Sequence, residues 1–180
     1  SPVDEFSQTG MTLAKANTYD VIYISGKITT TAGIDTIRDT KAGIIFGETD
    51  LISKLNLAIE GKKSNGNKIK SASGEDPAKC RSKILGRLSG NIVVYNSESP
   101  IGYGLNVSSE CTVVANDVNN NPTIFAIEKG GRTTTTCAKG RRVYIFMSDN
   151  SEEALTPEGW YLFENAVKGT SNSPEHDIYK

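Results

Sequence analysis

The chain is poor in the residues that carry most chemistry at neutral pH. Among its 180 residues are one histidine, three cysteines and one tryptophan, and 20 basic side chains nearly cancel 21 acidic ones. The lone histidine, His176, stands near the C-terminus. Histidine is the commonest general base near pH 7 and the commonest metal ligand. A Ser-His-Asp triad, a Cys-His dyad or a histidine-based zinc site is therefore excluded unless the terminal segment folds over a cleft. Cys80, Cys111 and Cys137 are widely spaced, with no Cys-x-x-Cys pair and no histidine nearby, which removes the usual zinc patterns. No apolar run approaches the ~20 residues that span a bilayer. The phosphate-loop spacing GxxxxGK[ST] is absent, and no cofactor is implied. Gly102-Tyr103-Gly104 and Gly130-Gly131 follow no strand-to-helix junction, so both read as hairpin turns.

At this length a single domain can bury a core without metals or disulfide staples. Residues 1–6 are set apart as a processed start or cloning scar, because Glu5-Phe6 matches a restriction-site remnant. Residues 7–169 are expected to form one domain, and 170–180 a polar tail. An odd cysteine count leaves one thiol unpaired if a bridge forms; in an oxidising compartment Cys111–Cys137 is the expected pair. One glycosylation sequon, Asn106-Val107-Ser108, is present.

The run Val21-Ile22-Tyr23-Ile24 is continuous rather than alternating, which predicts a central strand buried on both faces. Lys27 to Thr31 is a candidate hairpin partner, and Ala42 to Phe46 a second short strand. Asp50 begins a helical pattern (Leu51, Ile52, Leu55, Ala58, Ile59) that Gly61 stops. Lys62 to Glu75 reads as an exposed loop. Asp76-Pro77 opens a second helix with Cys80, Ile84 and Leu88 on its apolar stripe. From Gly90 onward, short runs at 91–96, 111–115, 123–128, 133–137 and 142–147 are separated by turn residues. Such spacing predicts an antiparallel meander. Thr156, Pro157 and Gly169 bracket a last helix, with Trp160, Leu162, Phe163, Ala166 and Val167 expected inward. The fold class expected is thus α+β: an antiparallel, largely meander-type sheet in the C-terminal half, packed with about three helices, the last C-terminal and amphipathic.

Charge is segregated along the chain. Lysines and arginines gather between Lys62 and Arg87, with Lys79, Arg81 and Lys83 at the second helix. A second basic run holds Lys129, Arg132, Lys139, Arg141 and Arg142 with no acid among them, whereas the segment from Asp149 onward is mostly acidic. These eight side chains are the candidate binding residues, fitted to an anionic macromolecule or an acidic protein surface. Carboxylate catalysis has candidates in Glu98, Glu110, Glu128 and the Glu152-Glu153 pair, but no motif selects one.

The function expected is a secreted or surface-exposed, non-enzymatic interaction domain, effector- or adhesin-like, binding through its basic surface. Two alternatives stand beside it. One is a nucleic-acid-binding or ribonuclease-like domain; the other is the soluble part of a pilin-like structural protein.

Overall fold

In the computed structural model the described residues are 4–5, 10–26 and 33–170. The first half alternates short helices and strands: α1 (Leu13–Ala16), β1 (Val21–Ile24), α2 (Ile34–Ile37), β2 (Gly43–Phe46), α3 (Asp50–Lys54), β3 (Ala58–Gly66) and β4 (Lys68–Ser71). There follow α4 (Cys80–Leu85), β5 (Asn91–Val93), β6 (Ser99–Val107), β7 (Thr112–Asn116), β8 (Pro122–Ile127), β9 (Arg142–Ile145) and α5 (Pro157–Thr170). Seven strands form one sheet in the order β1-β2-β9-β8-β7-β4-β5, and β3 and β6 form a separate two-stranded ribbon.

This architecture corrects the expected meander. β1, β2 and β9 run parallel, with Ile45 opposite Val143, while β8 and β7 continue antiparallel. The sheet is therefore mixed, and its helices are interspersed along the chain rather than collected around a C-terminal sheet. The physical reason is the burial of both faces. Along β2, Ile45 enters one core with α4 and α5, while Ile44 and Phe46 enter another with α1, α2 and α3. β8 and β9 split in the same way: Ala126 and Val143 to the first core, Phe125 and Tyr144 to the second. Two covered faces require continuous apolar strands, a pattern common where a sheet contains parallel pairs, here β1-β2-β9 on one side.

Arg142 fixes the parallel junction. Its guanidinium, almost wholly buried, donates to the carbonyls of Arg38 (2.9 Å), Thr40 (2.6 Å), Ala42 (2.8 Å) and Arg141 (3.0 Å). One side chain of β9 thus satisfies the orphan carbonyls of the segment entering β2.

Several local expectations shift as well. β1 is an edge strand and only half-buried, so its apolar run does not mark the sheet centre; β8 stands there, with β9 and β7 beside it. Asn56 at φ 60° ends the α3 region, and Ala58 and Ile59 begin β3. β3 and β4 occupy much of the predicted loop 62–75, and Gly102-Tyr103-Gly104 lies inside β6. On α5 the buried stripe is Gly159, Leu162, Ala166 and Thr170. Trp160, one residue round the helix, is 43% exposed. The three cysteines are free thiols, so the expected Cys111–Cys137 bridge is not formed, and Cys137 lies outside the named strands. Lys27 to Thr31 and His176 lie outside the described residues.

Candidate functional site: a basic groove at the amino edge of the sheet

The parallel strands β1, β2 and β9 give the sheet two unlike edges. At their carboxyl ends, where open α/β sheets commonly hold ligands, the loops and the β3–β6 ribbon pack against one another. A Cβ on Gly47 would overlap the Met147 carbonyl, one on Gly61 the Thr49 carbonyl, and one on Gly102 the Tyr144 hydroxyl. Glycine at these points lets backbone approach its neighbours closely. The Gly102 amide donates to the Phe146 carbonyl at 3.1 Å, and Ile101 bridges Met147, so the ribbon is tied to the end of β9.

A charged clasp ties β3 to the segments after β2 and β9 at the same edge. Lys63 Nζ on β3 stands 2.5 Å from Asp149 Oδ1 and 3.8 Å from Glu48 Oε1. Glu48 is nearly buried, and burial raises its pKa above the ordinary carboxylate value, with Lys63 opposing the shift. The Asp149 hydrogen bond, the largest influence on Lys63, holds its ammonium above the ordinary lysine value. Lys63 is thereby a protonated strut rather than a nucleophile. Beneath it, the hydroxyls of Tyr144 and Ser148 are fully buried and make no hydrogen bond.

The amino ends of the strands differ. There lies an open groove of about 570 Å³ with three walls. α1 and its C-cap contribute Leu13 and Asn17, and the turn between α2 and β2 contributes Asp39 and Lys41. The third wall is the loop from β8 to β9, with Lys129, Lys139 and the stretch around Gly130 and Ala138. That loop is braced from within: Arg132 bridges Cys137, Gly130 N–H donates to Ala138 O at 2.8 Å, and Thr133 N–H to Thr136 O at 2.7 Å. Among the described residues, three lysines line the groove with one aspartate. Asp39 also lies within electrostatic reach of the buried Arg142.

The eight expected binding residues divide by role. Lys129 and Lys139 line the groove, and Arg132 is exposed on the same loop. Arg141 and Arg142 turn inward. Arg141 donates to Gly169 O and, at 3.2 Å, to Cys80 Sγ; its Nε lies 3.2 Å from Glu128 Oε1, a charge contact without hydrogen-bond alignment. Arg81 is half-buried and donates to the carbonyls of Val113 and Gly74. Lys79 and Lys83 remain exposed. The Arg141–Cys80 contact draws the start of α4, with Lys79, to the same edge as the groove, whereas Lys63 of the same basic segment serves the opposite edge.

Other reactive types have structural partners. Cys80 is buried and its thiol is pushed up by burial despite the Arg141 charge; burial pushes Cys111 up to about 12. Glu110 accepts from the Arg132 amide, Glu128 pairs with Arg141, and Glu152 accepts from the Tyr23 hydroxyl at 2.9 Å. Among the described residues, no group of three or more His, Cys, Asp or Glu side chains could hold a metal. No described helix is long and apolar enough to cross a membrane. Sequence reasoning missed Asn17, Asp39 and Lys41, because nothing local announces that the turn before β2 meets the loop before β9.

No protein-family model matches the chain, and no curated protein matches it. A solved structure does. The crystal structure of a GMP synthase subunit-like protein from Thermoplasma acidophilum is similar over 93% of this chain and 80% of that one. The TM-score is 0.54 at 13% sequence identity. The likeness extends across the mixed sheet and shows the fold alone.

Proposed function

We propose that this domain is a non-enzymatic binding module that receives an anionic partner at the amino edge of its sheet. The observation that carries the reading is the groove lined by Lys129 and Lys139 of the loop before β9. Arg132, exposed on the same loop, extends the positive potential beyond the groove. A secreted or surface-exposed setting belongs to this proposal and rests on the Thr/Asn/Ser-rich composition; the free thiols add nothing to it.

The test is retention on immobilised heparin as a generic polyanion. The protein should bind at low salt and elute as salt rises, because exposed lysine–anion contacts are screened. The triple variant Lys129→Gln, Arg132→Gln, Lys139→Gln should elute at clearly lower salt. Flow-through of the unmodified protein, or an unchanged elution of the variant, would sink the reading. Arg141→Gln and Arg142→Gln make poor probes, because those guanidiniums hold the fold.

A further inference from the structure

We infer that the groove is a small-molecule site for a phosphorylated polyhydroxy compound, such as a sugar phosphate, an inference that rests on the anionic-partner reading above. Its volume of about 570 Å³ falls in the range of small-ligand sites, ~300–1,000 Å³. The lining divides into three chemistries. Lys129 and Lys139 supply ammonium groups, which act on the oxygens of a phosphate monoester as compact point charges. Arg141 and Arg142 are committed to main-chain carbonyls and Cys80, and Arg132 is not among the described residues that line the groove.

Asp39 sets the second condition. An ionised carboxylate is acceptor-only, so it repels a ligand that is anionic throughout and favours one presenting hydroxyl donors at that wall. Asn17 adds to this. Its side-chain oxygen already accepts from Thr40 Oγ1 (2.9 Å) and the Lys41 amide (2.8 Å), which leaves its amide N–H groups as the donors for a ligand oxygen. The third chemistry is apolar: Leu13 and Ala138 offer a small hydrocarbon floor for a carbon skeleton. Among the described residues, no aromatic ring lines the groove, so the stacking that recognises a nucleobase has no platform among them. An anion at one end, hydroxyl donors at the other and no planar ring describe a sugar phosphate better than a nucleotide or a bare polyanion.

The probe is glucose 6-phosphate, titrated into the full chain by calorimetry or by amide shifts in NMR, beside inorganic phosphate and glucose. Glucose 6-phosphate should bind at least about tenfold more tightly than either fragment, the worth of one added charge-assisted hydrogen bond. Lys129→Gln with Lys139→Gln should abolish binding. Asp39→Asn should erase most of the preference over inorganic phosphate while leaving phosphate itself bound as well or better. Equal affinity for phosphate and glucose 6-phosphate overturns the proposal, as does a preference that survives Asp39→Asn. If the sugar phosphate fails to bind while heparin retention and its lysine dependence persist, the ligand class is wrong and the basic-edge reading stands. If both fail, both fall.

Discussion

The two ends of the parallel strands solve opposite problems with similar residues. At the carboxyl end, lysine meets two carboxylates: Lys63 is held by Asp149 and Glu48, and the surrounding glycines let main chains touch. At the amino end, three lysines share a groove with one aspartate, and Gly130 at φ 87° has nothing within 4 Å of where a side chain would begin. Among the described residues, one edge binds its charges to one another, and the other arrays them around an open groove. Identical residue types thus become structural or ligand-directed according to where the fold places their counter-charges. The basic segment from Lys62 to Arg87 shows this within itself, because its first lysines and its helix face different edges.

The contrast can be broken most severely at the closed side and at the strand junction. Arg142→Met should cost about 3 kcal/mol or more in urea unfolding, since it strips hydrogen bonds from several buried carbonyls. Gly47→Ala should cost about 3 kcal/mol, because the added carbon meets the Met147 main chain rather than a movable side chain. Its counterpart in the groove, Gly130→Ala, should cost only about 1 kcal/mol, from positive φ with no clash. A loss at Gly130 as large as that at Gly47 would mean the groove loop is packed as tightly as the closed edge.

Smaller effects sharpen the electrostatic side. The raised pKa of Glu48 means that the folded protein holds its proton more firmly than the unfolded chain does. Its favourable contribution is complete below the unfolded carboxylate pKa and is lost as pH rises through the folded value. Glu48→Gln should therefore flatten the stability profile, with a gain at pH 8 relative to the parent and little difference at pH 4, measured by urea midpoints. Smallest of all, Lys129→Gln and Lys139→Gln should each change stability by less than about 0.5 kcal/mol, as exposed surface changes do. Their effect belongs in binding alone.

Much of the secondary structure is legible in local chemistry. Thr156 does cap α5, accepting from the Gly159 amide at 3.0 Å, and Pro157 opens the helix where a missing N–H costs nothing. The apolar runs of β2, β8 and β9 read as strands because side chains leave them on both faces. The Trp160 orientation is not legible, because Gly159 takes the inward position beneath the Val94 carbonyl and rotates the indole outward. β3 reads as loop for a different reason: much of its ribbon is solvated, so its sequence carries Lys, Ser, Asn and Gly instead of an apolar face.

Of the candidate site, Lys129, Arg132 and Lys139 are found from charge alone, yet charge does not separate them from Arg141 and Arg142. A guanidinium that hydrogen-bonds buried carbonyls and one that faces solvent have the same sequence signature. The sequence by itself determined the apolar strands and the capped final helix, because these depend on neighbouring residues. Tertiary structure alone decided that β2 lies parallel to β9 across roughly a hundred residues, and which charges pair with one another at the carboxyl edge. Those outcomes depend on contacts between distant segments, and no local pattern encodes the partner of a strand or of a charge.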